Sequence, residues 1–168
     1  MKTKYLALCG LMAALTAICA WIAIPLFGTV ITLQTFAICL ALLTLGGKWG
    51  CVTICVYLAL GAVGLPVFSG FQGGIGTLLG PTGGYLWGFL LGGLVYWGIT
   101  GNDGHRRPFP ALALFLLSCY ACGFLWYYVN YARGGIFFTL AQSILPCLLP
   151  DACKITLAWQ ISRKLPKK

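Results

Sequence analysis

Apolar residues run through this chain in long unbroken stretches, and the polar positions between them are few and short. The stretches lack the alternation of a membrane barrel strand, so the elements they predict are helices, which satisfy their own backbone polar groups away from water. Six spans follow from the pattern: Tyr5 to Ile24, a short second from Thr35 to Leu45, Gly50 to Gly64, Gly84 to Ile99, Pro110 to Tyr128, and Cys147 to Leu165. Several fall short of the roughly 20 residues that cross a bilayer upright. Such helices must be broken, capped by protein, or flanked by segments that complete the crossing. The expectation is an all-α polytopic membrane protein with six transmembrane helices, and the length of 168 residues predicts one domain over 1–168.

Composition supports the membrane assignment. The chain is 60% hydrophobic and 8% charged with mean hydropathy +0.93, whereas a soluble domain carries about 25% charged residues. The net charge of +9 could suggest nucleic acid, but its placement gives a simpler account. Lys2, Lys4, Lys48, Arg106, Arg107, Arg163, Lys164, Lys167 and Lys168 all fall on one side of a six-span arrangement. The opposite loops hold only Arg133. The excess of positive residues on the inner side puts both termini in the cytoplasm and the loops near 26–34, 65–83 and 132–146 outside. No nucleic-acid partner is expected. The start, Met1-Lys-Thr-Lys-Tyr5 before an apolar stretch, mimics a secretory signal, yet Ile18 ahead of Ala20 makes a poor cleavage site, so the first helix is expected to be retained.

Candidate enzymatic chemistry is sparse. The nine cysteines are an odd number, nearly all within predicted spans at helical spacings such as Cys51 with Cys55, which argues against a complete disulfide framework. Cys119-Tyr-Ala-Cys122 has a redox or metal spacing but no neighbouring His and no second pair. His105, beside Asp103 and Arg106 between Gly101 and Arg107, reads as a solvated turn residue. With no Ser/His/Asp set, no phosphate-binding loop and no paired carboxylates, neither enzymatic activity nor a cofactor is expected.

Two features point instead to recognition. Asp151 and Lys154 interrupt the apolar run Leu148 to Trp159, in a chain with no Glu and one other Asp. A charge at mid-membrane costs about 2.5–3.5 kcal/mol on insertion scales, and the i,i+3 spacing puts both on one helix face. They are either a self-neutralising ion pair that locks packing or a ligand site. Residues 61–89 hold ten glycines and no charge, a backbone able to fold back closely and present its own polar groups. Leu65, Val67, Phe68, Phe71, Ile75 and Leu78 within it are apolar side chains that a solvated linker would not carry. A packed lid or re-entrant segment is expected, ending at Pro81, with Gly83 and Gly84 allowing close helix packing or the approach of a ligand.

Leu65-Pro-Val-Phe68, Gly80-Pro-Thr-Gly-Gly-Tyr85, Thr32-Leu-Gln-Thr-Phe36 and Asp151-Ala-Cys-Lys154 together resemble the BioY family, biotin-binding S components of energy-coupling-factor (ECF) transporters. The match runs through the chain in order. The resemblance implies an S-component-like bundle in a bacterial or archaeal plasma membrane. Such a bundle takes biotin from outside and works with a transmembrane coupling subunit and two cytoplasmic ATPases. It also implies a ligand site of Asp151, Lys154, Gln34, Phe68, Thr82, Gly83, Gly84 and Tyr85, with Trp87 and Phe89 as further apolar wall. Asp151 can accept from the ureido N–H groups of biotin. Lys154 can neutralise Asp151, donate to the ureido carbonyl, or pair with the carboxylate, and the spacing does not choose. On the first span, Gly10, Ala13, Ala14 and Ala17 form a face of small residues that suits either packing inside the bundle or docking to the coupling subunit. Alternatives are a carrier for another vitamin or small solute, with or without ATPases, and a structural subunit in which Asp151 and Lys154 are only an ion pair.

Overall fold

A computed structural model of the chain describes residues 2–26, 29–102, 108–131 and 135–165. Helix α1 covers Lys2–Trp21 and stops short of the expected Ile24. The next residues pair instead as an antiparallel hairpin, β1 (Ala23–Leu26) with β2 (Thr29–Thr32), in the register Ala23 with Thr32. The β-branched Thr29-Val-Ile-Thr32 favours that extended state. The Leu33 N–H, which bonds the carbonyls of Cys19 and Ile22 at 3.1 and 3.3 Å, folds the hairpin back over the end of α1.

The second and third expected spans are the two helical arms of one stretch, α2 (Gln34–Ala62), divided at Gly46, with φ 84° and ψ 172°. That left-handed φ is open to glycine and strained for other residues. The arms 34–45 and 47–62 fold against each other, close enough that a Cβ on Gly50 would stand 2.9 Å from Leu42 Cα. A 3₁₀ turn (Ser69–Phe71) and the one-turn α3 (Ile75–Leu78) follow, then α4 (Gly83–Thr100), α5 (Pro108–Asn130), α6 (Ile136–Ser143) and α7 (Leu145–Lys164). By length and composition α1 and α5 can each cross a membrane. The short α6 falls in a stretch expected as outer loop, and the charged loop with Asp103, His105, Arg106 and Arg107 lies outside the described residues, as do Arg133, Lys167 and Lys168.

Large apolar side chains line the outside of the bundle, including Leu11, Leu117 and Leu125, each more than half exposed. This is the distribution of a protein solvated by hydrocarbon rather than water. Inside, the core joins α1, both arms of α2, Phe68 and Leu78 of the lid, α4, α5 and Ala158 of α7. The tightest seam is α4 on α5. Gly84, Gly88 and Gly92 recur every four residues, and a Cβ on Gly88 would sit 2.9 Å from Cys119 Cα, one on Gly92 2.7 Å from the Phe115 carbonyl oxygen. Without a hydrophobic force between helices in lipid, such close backbone approach is what dispersion contacts need. Gly88→Leu is therefore expected to lower stability by about 1–3 kcal/mol, read as a drop in thermal unfolding midpoint in detergent. Gly98→Leu, on the open face of α4 with nothing within 4 Å of the added Cβ, should leave it unchanged.

Candidate functional site

A cavity of about 540 Å³ lies between β2, the start of α2, the segment 68–82, the start of α4, and the facing sides of α5 and α7. Such a volume suits a small organic ligand. Its charged pole is on α7. Lys154 Nζ donates to Asp151 Oδ1 at 2.7 Å and to the Thr32 carbonyl oxygen at 2.8 Å, and the Tyr120 hydroxyl donates to Asp151 Oδ2 at 2.6 Å. Both charges are buried, Asp151 to 5% exposure and Lys154 to 9%. One turn of α7 thus binds the hairpin on one side and α5 on the other.

Polar contacts continue along β2 into α2. The Thr32 hydroxyl donates to Gln34 Oε1 (2.9 Å), Gln34 Nε2 donates to the Tyr57 hydroxyl (2.6 Å), and that hydroxyl donates to the Val67 carbonyl oxygen (2.9 Å). Among the described residues no buried side-chain nitrogen or oxygen lacks a partner. The ion pair is accordingly part of a satisfied network and not an isolated defect.

The glycine-rich segment roofs the cavity. Aromatic donors of the surrounding framework hold its carbonyls. Trp21 Nε1 bonds the oxygen of Pro66 (2.8 Å), Tyr57 that of Val67 (2.9 Å), Trp87 Nε1 that of Leu78 (3.3 Å), the Tyr131 hydroxyl that of Leu79 (2.6 Å) and Trp126 Nε1 that of Gly80 (3.0 Å). Backbone oxygens that the glycines leave without helical partners are satisfied in this way. Phe68 is buried edge-on to Tyr57, with centroids 5.5 Å apart, against Gly61, where no side chain would fit. Leu78 is buried and Val67 half-buried, while Leu65, Phe71 and Ile75 stay exposed.

Of the residues singled out in the sequence, Gln34, Phe68, Thr82, Tyr85, Phe89, Asp151 and Lys154 all line the cavity. Gly83 and Gly84 do not line it: a side chain on the first would collide with the Leu78 carbonyl, and on the second with Trp126. Their smallness lets the lid and α5 close on the start of α4. Trp87 also lies off the cavity, spent on Leu78. Cys119 lines the cavity and Cys122 does not. On α1, Ala13 and Ala17 are packed into the core, whereas Gly10 and Ala14 are exposed on the outer face. Sequence reasoning missed Tyr120 and Tyr57. Each is a tyrosine within an apolar helix, and only the side chain across from it reveals its hydroxyl as a partner.

The fold and site define a helical membrane protein that encloses a cavity of small-molecule size beneath a roof of its own backbone. The BioY family model matches residues 1–168, and the chain belongs to the BioY family. It is 36% identical over 167 residues to a probable biotin transporter BioY of Pyrococcus horikoshii, covering 98% of each chain. To the biotin transporter BioY of Thermotoga maritima it is 37% identical over 169 residues, covering 94% of this chain and 93% of the relative. Among solved structures it resembles the crystal structure of the S component for biotin from an ECF-type ABC transporter, with TM-score 0.83 and 27% identity over 99% of this chain and 94% of that one.

The buried pair makes a direct test of the network. Lys154→Met leaves the Asp151 carboxylate buried with Tyr120 as its remaining partner and should cost about 3–5 kcal/mol. Combining it with Asp151→Asn removes the stranded charge and should recover part of that loss in the same thermal unfolding measurement.

Proposed function

We propose that this protein is a biotin-uptake subunit of a prokaryotic cell membrane, taking the vitamin from outside and passing it inward with a transmembrane coupling subunit driven by two cytoplasmic ATPases. Membership of the BioY family supports the reading, as do the biotin transporters among its relatives. The observation that carries it is the cavity itself, apolar along Phe68, Leu86 and Phe89 with one charged pole at Asp151 and Lys154. Biotin has a ureido ring rich in hydrogen-bonding groups, an apolar thioether ring and methylene tail, and a carboxylate at the end of that tail; the apolar middle suits the apolar wall, and either polar end suits the charged pole. Asp151 accepts from a ureido N–H, a charge-assisted bond stronger than a neutral one. Lys154 has three N–H donors, of which two serve Asp151 and Thr32. Gln34, Thr82 and Tyr85 add neutral donors and acceptors.

None of Lys4, Lys48, Arg163 and Lys164 lines the cavity, and the gathering of basic residues on the inner side of the sequence pattern supports a reading with the termini in the cytoplasm and the roof outside. Docking to the coupling subunit would use Gly10 and Ala14, the small residues that α1 presents outward, since a flat face lets a partner helix approach.

Equilibrium binding of labelled biotin to the detergent-purified protein tests the proposal. Unlabelled biotin should displace the label and excess thiamin or riboflavin should not; absence of saturable binding by a folded, monodisperse sample would overturn the reading. Asp151→Asn should weaken binding by about 10- to 100-fold, the loss of one charged hydrogen bond. Ala14→Leu should leave biotin binding unchanged and abolish co-purification with the coupling subunit.

A further inference from the structure

Tyr57 is 1% exposed and lies one layer behind the cavity without lining it. Its ring is held edge-on to Phe68 at 84°, and its hydroxyl has one proton, which the Val67 carbonyl oxygen of the roof takes at 2.9 Å. The oxygen of Tyr57 therefore meets Gln34 only as an acceptor, and the 2.6 Å contact is made by the amide nitrogen. A carboxamide carries its donors on one side and its acceptor on the other. Fixing Nε2 on Tyr57 turns Oε1 toward Thr32, whose hydroxyl bonds it at 2.9 Å, on the cavity wall. A carbonyl oxygen accepts two hydrogen bonds, so one from Thr32 leaves it able to take another from a ligand.

We propose that Tyr57 is a positioning residue that sets the polarity of the ligand site: by donating to the roof at Val67 it obliges Gln34 to present an acceptor, and the site thereby selects ligands that carry N–H donors. The selection operates only with the roof in place, because the Val67 carbonyl directs the chain of donors. This deepens the biotin reading and rests on it, since the ureido ring has two N–H groups.

The test compares biotin with its cyclic-carbonate analogue, in which ring oxygens replace both ureido N–H groups, by equilibrium binding to the wild type and to Tyr57→Phe. Phenylalanine keeps the packing on Phe68 and removes the proton, so the Gln34 amide is free to turn and donate. The wild-type preference for biotin should narrow by about tenfold in the variant, the weight of one hydrogen bond. On a Gln34→Ala background, Tyr57→Phe should leave the preference as it is. Equal weakening of both ligands by Tyr57→Phe, or the same narrowing without Gln34, would overturn the inference and leave the biotin reading standing. Wild type that binds neither ligand would overturn both. Should Tyr57→Phe fail to fold, Gln34→Ala alone answers the question: removing the acceptor should narrow the preference for biotin by about tenfold, and an unchanged preference would overturn the proposal.

Discussion

The buried pair of Asp151 and Lys154 is the interaction on which the rest of the site depends. A lysine ammonium and a carboxylate away from water are costly unless each remaining lone pair and proton is used. Here Tyr120 takes the second carboxylate oxygen and the Thr32 carbonyl takes a second ammonium proton. These two bonds reach α5 and the β1–β2 hairpin, so the need to satisfy the charges brings three separate elements to one wall of the cavity. What neutralises the charges also fixes their geometry on the cavity wall.

Glycine and aromatic residues solve complementary problems around that wall. Gly84, Gly88 and Gly92 remove side chains so that α4 and α5 can meet backbone to backbone, while the glycines of 61–80 free a stretch of chain from helical pairing. A backbone so freed carries carbonyls that need donors. The tryptophan and tyrosine side chains of α1, α2, α4 and α5, with Tyr131, supply them. The roof is consequently part of the packed structure and is connected to the cavity wall through Tyr57 and Gln34.

Much of this was legible in the chain itself. Long apolar runs with few charges leave no alternative to helices in lipid, and the starts of the last three spans agree with α4, α5 and α7 within about two residues, the usual uncertainty of helix ends. Asp151 and Lys154 stood out because charge is rare there, and the lid because ten glycines share a stretch with buried-type side chains. The hairpin at 23–32 escaped because its apolar residues continue the pattern of the first span, and hydropathy alone does not tell a strand from the end of a helix.

What the sequence alone determined is the solvent and the class of chemistry: an apolar chain must satisfy its backbone internally, and two charges retained in it must be paired or used. Tertiary structure decided which of the small and aromatic residues face the site. Gly83 and Gly84 look as available for a ligand as Thr82 and Tyr85, yet they serve the packing of the lid and α5; Gly10 and Ala14 face outward while Ala13 and Ala17, of similar size on the same helix, are enclosed. Tyr57 and Tyr120 gain their roles from partners 23 and 31 residues away. The direction of a hydrogen bond depends on what both ends can donate and accept, and that is fixed only when distant segments meet.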